Sequence, residues 1–507
     1  MFRISTIMNE SRDKVSVYDT KEDTFNNYYT IITGDNASGK SSLLSKAINF
    51  FLFENKKDDY LEPAINLSSL SEKKPSKIIA LCNSRFDKFT SNTVFNKKLN
   101  QKTNTSSMFY IHPEINDNSR KGIAGIVDQC LKNSLRHKNI RGYQSYLGVN
   151  EAFMMFGLQP LLHLKCNVHT QNINYILSVL ESLINGSMAV SADGIIKVKK
   201  NKSPLSEELK DRDENLDEAI KFIWSEINND SNPYHIFDIL LMLHEGKFTA
   251  ENIGDIYFSI ADGRIYSESK NLFSEFTDID VIKLLFILDV FNVYDFQVMH
   301  LNSSKEVSIS SLSSGQRTLF GHAIVLSSFV EDNCMICIDE PENSLHPEWQ
   351  LNFMRFISLL CPDSLEGHIL IATHSPQIIS GMQFDNGCVL SLSSRDSFEP
   401  ITLRKDNKHD DKRFYELQPL KIYREQSADK QLTGVFKSPG FKNDFIIRKL
   451  LLILSKSSKN INLTKPDHEF IDEIFILIEK NRIPEGDPVQ LLLKQIHSFL
   501  TIGNHDD

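Results

Sequence analysis

Along the chain the spacing of apolar residues changes period several times, and each change marks an element. Phe2–Ile7 and Lys14–Tyr18 alternate apolar and polar positions, the period of half-buried strands. Tyr29–Thr33 is a β-branched run that stops at Gly34. Ser41–Phe53 then carries apolar residues at Leu43, Leu44, Ala47, Ile48 and Phe51, the spacing of a helix with one buried face. Lys77–Cys82, Met335–Ile338 and His368–Thr373 are short apolar runs that predict buried strands.

Between about 150 and 295 the pattern loosens. Tyr175–Ile184 and Leu216–Ile227 predict amphipathic helices, and Val281–Val293, apolar nearly all round, predicts a buried one. Asp193-Gly194 and Asp262-Gly263 separate strand-like runs and predict hairpin turns. No heptad pattern is sustained, which argues against a long coiled coil. Residues 396–440 are polar and irregular and read as a linker or surface loop. Three helices follow, Asp444–Lys456, Asp467–Lys480 and Val489–Leu500, the last two announced by Pro466 and by Asp487-Pro488. Their apolar faces, through Ile446, Leu450, Phe470, Ile474, Leu492 and Ile496, make a small core, with or without a groove for a partner.

Composition narrows the class. A chain of 507 residues, 41% hydrophobic and 24% charged, is ordinary globular material for two or three domains. A net charge of −10 argues against coating nucleic acid over the whole surface. The basic run Lys197–Lys202 reads either as a solvated face or as a contact to a phosphate backbone. Seven scattered cysteines fit a reducing compartment. Met1-Phe2-Arg3 runs directly into a strand pattern rather than a signal peptide. No apolar stretch reaches the roughly 18–20 residues that span a bilayer. The expectation is a soluble cytoplasmic protein with no membrane partner.

The chemistry concentrates in three places. Gly34-Asp35-Asn36-Ala37-Ser38-Gly39-Lys40-Ser41-Ser42 joins a strand to a helix. Its glycines let the backbone curl so that N–H groups face a phosphate, and the helix N-terminus adds partial positive charge. Lys40 is placed to reach the β- and γ-phosphates of ATP, and the Ser41 hydroxyl to ligate Mg²⁺. The strand ending in Asp339-Glu340 supplies a metal-holding carboxylate, Asp339, and a candidate base for water, Glu340. Cys334 and Cys337 on this strand face opposite sides and lack a second pair of ligands, so they read as core rather than as a metal site. Leu312–Gln316 precedes the helix predicted over Arg317–Ser328 and by itself is an N-cap.

Together, and in this order, these segments resemble the ABC-type ATPases. Leu312-Ser313-Ser314-Gly315-Gln316 is similar to that family's signature loop, with Ser314 where many members have glycine. The resemblance implies that Ser313, Ser314, Gly315 and Gln316 act in trans on a γ-phosphate held by a second protomer. It therefore implies a homodimer or higher homo-oligomer around ATP and Mg²⁺. His374 is similar to the family's switch histidine, catalytic together with Glu340, and Glu342–Pro347 resembles the loop that passes between the two nucleotides. Gln129 and Gln144 are the candidates for the family's Mg²⁺-sensing glutamine. Tyr28 or Tyr29 either stacks on adenine or packs its strand.

The run Asp339-Glu340-Pro341-Glu342-Asn343-Ser344-Leu345-His346-Pro347, and the long chain between Lys40 and Leu312, resemble the SMC, RecF and OLD branch. Residues 376–507 show no match to the Toprim nuclease of OLD proteins. What is left resembles the stand-alone ATPases of bacterial anti-phage systems, Septu and its retron-associated relatives first and PARIS second. The implied fold class is α/β: an ABC-ATPase P-loop core of mixed sheet flanked by helices, with a mainly helical insertion and a C-terminal helical extension. The expected domains are an N-terminal lobe over 1–150, the insertion over 151–290, a C-terminal lobe over 291–405 and a helical partner-binding region over 406–507. The implied function is ATP binding and hydrolysis that senses or regulates a partner effector, an HNH-type nuclease, with DNA or retron RNA/DNA as a further partner. The alternative is a RecF- or SMC-like DNA-binding ATPase of DNA repair. A transporter subunit is a third reading, and the long insertion speaks against it.

Overall fold

The computed structural model describes residues 1–9, 13–19, 21, 26–34, 38–53, 65–68, 74–82, 89, 110–111, 120–136, 143–169, 172–174, 176–177, 188–190, 196–198, 240–241, 243–245, 255–267, 278–303, 305–382, 385–393, 414–423, 426–434, 440–459, 461–481 and 483–502. Two compact units emerge, residues 1–116 with 330–507, and residues 117–329.

The first unit opens with β1 (Ile4–Met8), β2 (Lys14–Ser16), β3 (Tyr28–Gly34), α1 (Lys40–Phe53), β4 (Ile65–Leu67), β5 (Ile78–Cys82) and β6 (Tyr110–Ile111). The second contains α2 (Arg120–Arg136), α3 (Tyr143–Met155), β7 (Leu158–Val168), β8 (Met188–Val190), β9 (Ile196–Val198), β10 (Ile256–Ser259), β11 (Arg264–Ser267), α4 (Asp278–Ile287), β12 (Phe291–His300), β13 (Glu306–Ser308) and α5 (Ser314–Phe329). The chain then returns to the first unit with β14 (Met335–Asp339), α6 (Pro347–Leu360), β15 (His368–Ala372), α7 (Pro376–Ser380), β16 (Gly387–Ser393) and β17 (Phe414–Pro419). It ends in α8 (Ala428–Gly434), α9 (Asp444–Ser458), α10 (Lys465–Asn481) and α11 (Pro488–Ile502).

In the first unit a seven-stranded sheet runs β17-β16-β3-β15-β14-β5-β6, parallel throughout except for β17. A three-stranded antiparallel sheet, β2-β1-β4, completes the core. Helix α1 buries Leu43, Leu44, Ala47, Ile48 and Phe51 in one cluster with residues of both sheets, among them Ile4, Val15, Ile32, Cys337 and Leu370. Burying that stripe, at about 1.5–3 kcal/mol per large side chain, fixes the helix start over the end of β3. Two polar residues brace the sheets from inside. Arg3 is fully buried, and its guanidinium donates to the carbonyls of Phe2, Glu366 and Gly367 at 2.8–2.9 Å. His368 is held by the Ile4 N–H at 3.1 Å and by Thr30 Oγ1 at 2.9 Å. Burial first, and the nearby Arg3 second, push this imidazole well below its usual range. The result is the α/β fold expected: a parallel-rich sheet flanked by helices, consistent with a P-loop ATPase core, with a helical C-terminal region.

The expectation of a mainly helical insertion is corrected: among its described residues the second unit is built on a five-stranded antiparallel sheet, β11-β10-β7-β12-β13. Helix α2 packs on α5 and on β12. The predicted hairpin at Asp262-Gly263 joins β10 to β11, with Gly263 at φ +68. Strands β8 and β9 pair as expected around Asp193-Gly194, although the turn itself lies outside the described residues. So do Leu216–Ile227, most of Tyr175–Ile184 and residues 199–202. The buried helix expected over Val281–Val293 is corrected: α4 stops at Ile287 and β12 begins at Phe291. Asp289 takes φ +58, and the Val290 N–H reaches back to the Leu285 carbonyl at 2.9 Å, a helix end of the Schellman type. A continuous apolar run cannot by itself distinguish a buried helix from a buried strand.

The three C-terminal helices sit where the sequence puts them. Asn443 caps α9 by accepting from the Ile446 N–H at 3.0 Å, and Asp487 accepts from the Val489 N–H at 2.9 Å at the start of α11. Ile446, Leu450, Phe470, Ile474, Val489 and Ile496 share one core. The polar stretch 396–440 is corrected in part, because it holds β17 and α8.

Candidate functional site

Strands β3, β15 and β14 lie side by side and parallel, so their carboxyl ends open on one edge. The register pairs Ile32 with Ala372 and Ala372 with Asp339. In an open α/β sheet that edge is where ligands bind, because the loops there are free to vary while the strands hold them in place. Three of the sequence-predicted segments, following Gly34, Asp339 and Ala372, are thereby brought together.

Gly34 has φ +148, and a Cβ there would stand 2.2 Å from the Leu392 carbonyl oxygen, so only glycine fits between β3 and β16. Gly39 also has positive φ, +97, at the entry to α1. Asp35, Asn36 and Ala37 lie outside the described residues. Lys40 is buried, and its ammonium donates to the Gly34 carbonyl at 3.1 Å and to Ser38 Oγ at 3.5 Å, so it folds back across the loop. One residue on, Ser41 Oγ donates to Asp339 Oδ1 at 3.0 Å, and Asp339 is itself buried at the tip of β14. Ser42 lines the cleft beside the loop.

Glu340 follows with φ +48, rare for a residue with a side chain. Its N–H continues the ladder to the Ala372 carbonyl at 2.9 Å, and its carboxylate accepts from Asn343 Nδ2 at 2.8 Å. Glu342 accepts from Thr373 Oγ1 at 2.8 Å and from the His374 N–H at 2.5 Å. Burial pushes the Glu342 carboxyl above its ordinary range, against the opposing pull of the hydrogen bonds to the His374 N–H and to Thr373. His374 is half-buried at the turn after β15.

The segment Leu312–Gln316 belongs to the second unit. Ser313 Oγ accepts from the Gln316 N–H at 3.2 Å, and Gln316 Oε1 accepts from the Ser313 N–H at 3.1 Å, a reciprocal capping box at the start of α5. Gln316 Nε2 also donates to the Phe156 carbonyl at 3.3 Å. Ser313 and Ser314 are exposed, and Gly315 is half-buried. Gln129 is exposed on α2; Gln144 lies on α3.

The alternatives left open for Tyr28 and Tyr29 resolve toward packing. Both are buried, and Tyr28 meets Tyr18 and His368 edge-on at 4.9 and 5.4 Å. Another tyrosine, absent from the sequence reading, is better placed. Tyr415 on β17 lines a shallow, open cleft with Asn9, Val15, Gly39, Ser42 and Leu392. Asn9 Nδ2 donates to the Tyr415 hydroxyl, and Asn9 Oδ1 accepts from the Asp13 N–H at 2.7 Å. The alternation of Phe414–Pro419 was the available signal, hidden inside a stretch of polar composition. Cys334 and Cys337 are buried thiols, and burial pushes Cys334 up to about 12, as expected of core residues. Among the described residues no cluster of His, Cys, Asp and Glu is arranged to hold a metal by itself, and no helix is long and apolar enough to cross a membrane.

Comparison with known proteins bears on the second half of the site. Residues 195–380 match the family described as "AAA domain, putative AbiEii toxin, Type IV TA system". That span includes Leu312–Gln316, Asp339-Glu340 and His374 but not the loop at 34–42. The chain is also similar to the "Retron Vc95 probable ATPase" of Vibrio cholerae serotype O1 biovar El Tor, 24% identical over 184 residues. That similarity covers 34% of this chain and about a third, 33%, of the relative's length.

Proposed function

We propose that this chain binds and hydrolyses ATP with Mg²⁺ at the carboxyl edge of the β3-β15-β14 sheet. The observation that carries the reading is the 3.0 Å contact between Ser41 Oγ and Asp339 Oδ1. A hydroxyl from a glycine-flanked loop and a carboxylate from a buried strand meet there, two hard oxygen donors of the kind Mg²⁺ takes. Mg²⁺ would be held by Ser41 and Asp339, and when bound it would neutralise charge on the phosphates.

The chain's own groups do the rest. The loop N–H groups and the positive end of α1 cradle the phosphates, and Lys40 swings from the Gly34 carbonyl to the triphosphate. Glu340 accepts a proton from the attacking water, with Asn343 fixing its carboxylate. His374 contacts the terminal phosphate from the adjacent strand tip. Adenine lies in the cleft against Tyr415 and Leu392.

The same reading takes Ser313, Ser314, Gly315 and Gln316, at the head of a sixteen-residue helix, as the cap for a nucleotide held by a second copy. ATP then favours a homodimer, and hydrolysis releases it. The similarity to a retron-associated ATPase supports a place in phage defence, in which the dimer signals to a separate effector, an HNH-type nuclease. Turnover by the purified chain tests the site: Lys40→Ala abolishes ATP binding, whereas Glu340→Gln retains binding and stops hydrolysis. A Glu340→Gln protein that turns over at the native rate removes the assigned base. Light scattering of Glu340→Gln with Mg-ATP tests the dimer, and a mass that stays monomeric at saturation contradicts it.

A further inference from the structure

The loop after Glu340 carries a second carboxylate, Glu342, whose side chain reaches across to the neighbouring strand's turn. Its two oxygens take the Thr373 hydroxyl at 2.8 Å and the His374 main-chain N–H at 2.5 Å. Thr373 Oγ1 in turn accepts from the Ser375 N–H at 2.9 Å, closing the turn on itself. A second brace runs parallel. The Ser375 hydroxyl donates to Gln350 Oε1 at 2.6 Å, and Gln350 Nε2 donates to the Leu345 carbonyl at 2.9 Å. The segments 340–347 and 373–375 are thus fastened to each other at two points.

Both candidate catalytic groups, Glu340 and His374, lie on these two segments. Glu340 sits at φ +48, a conformation that costs of order 1 kcal/mol or more and persists only where the surroundings enforce it. His374 lies two residues past Ala372, the last residue of β15. We infer that Glu342 is a positioning residue: by clamping the main chain of His374 and the hydroxyl of Thr373, it sets the imidazole and the Glu340 carboxylate in one mutual placement. The inference rests on the proposed ATPase reading. A carboxylate suits the role because it can accept two hydrogen bonds at once, whereas glutamine offers one oxygen and turns an NH₂ toward the other donor. Glu342 is kept there although burial disfavours its charge.

The test is steady-state hydrolysis by the full chain alongside binding of a fluorescent ATP analogue and thermal melting. Glu342→Ala lowers kcat about 10²-fold, the scale of a misplacement of roughly 1 Å, and leaves the analogue's Kd within about twofold. Glu342→Gln falls between Ala and native. Thr373→Val, which removes one of the two donors, lowers kcat in the same direction by less. A native kcat in Glu342→Ala, or kcat and binding lost together in a protein that melts normally, overturns the inference. Should Glu342→Ala fail to fold, Thr373→Val and Glu342→Gln decide it, and a native kcat in both overturns it. Lys40→Ala separates the two claims: hydrolysis that survives it removes the whole site reading, whereas an inactive Lys40→Ala beside a fully active Glu342→Ala removes only the positioning role.

Discussion

Replacing Gly34 with alanine probes the glycine-flanked loop after β3 at the point where geometry leaves least room. The added Cβ would lie 2.2 Å from the Leu392 oxygen and 2.8 Å from Ser38 Oγ. The first is a main-chain atom in the β16 ladder, paired across to β3 itself, so it cannot simply rotate away. Two costs add. Holding a side-chain-bearing residue at φ +148 is worth of order 1–3 kcal/mol, and forcing the strands apart about 1–3 kcal/mol more. The sum, about 2–6 kcal/mol, is a large fraction of the stability of an ordinary domain. Gly440 is the internal control. It too has positive φ, +67, but a Cβ there meets nothing within 4 Å, so Gly440→Ala carries only the conformational cost, about 1 kcal/mol. Urea unfolding of both variants, followed through Trp349 on α6, and ATP binding to both give the comparison. Gly34→Ala should lower the midpoint well beyond Gly440→Ala or, if the loop yields locally, lose ATP affinity at nearly native stability. A Gly34→Ala protein that matches Gly440→Ala in both midpoint and ATP affinity would refute the reasoning.

Three further outcomes can be checked. Asp339→Asn weakens the dependence of ATP binding on Mg²⁺ while leaving Mg²⁺-free binding close to native, read by titrating the metal at fixed nucleotide. Tyr415→Ala weakens ATP by roughly 0.5–1.5 kcal/mol, a few-fold to about tenfold, with no effect on pyrophosphate, because only the base touches the ring; calorimetry with both ligands reads the difference. Asp467 gives a pH dependence. The Lys456 ammonium at 2.8 Å and the Thr464 N–H and hydroxyl hold its carboxyl down to about 2, against an ordinary 3.8. A folded-state value below the unfolded one gives stability that is present above about pH 4 and is lost as pH falls toward 2. Asp467→Asn therefore costs about 1 kcal/mol at neutral pH, allowing for screening by water, and flattens the acid limb of the melting profile over that window.

The places of the glycine-flanked loop and of the Asp339-Glu340 tip were legible because both tie a fixed residue type to a fixed place on a strand: glycine where no Cβ fits, and carboxylates where a fully apolar run stops. The C-terminal helices were legible because their runs are amphipathic and Pro466 and Asp487-Pro488 mark where two of them start, whereas the Asn443 cap of α9 emerged only with the structure. Other features depended on what packs against them. Val281–Val293 is apolar throughout, and only the turn at Asp289 divides it into helix and strand. Phe414–Pro419 reads as part of a linker until β16 supplies its ladder. Tyr28 and Tyr29 carry the right side chain for a nucleobase, but the sheet buries them, and Tyr415 stands at the cleft from far along the chain. Glu342 looked like one residue of a loop. Its partners on Thr373 and His374 are visible only once β14 and β15 lie side by side.

The most direct measurement is equilibrium binding of ATP to the intact chain, with and without Mg²⁺, for the native protein and for Lys40→Ala. The account predicts saturable, Mg²⁺-strengthened binding of one nucleotide per chain that Lys40→Ala eliminates. Native-like affinity in Lys40→Ala, or no binding by the native chain at millimolar ATP, would contradict it.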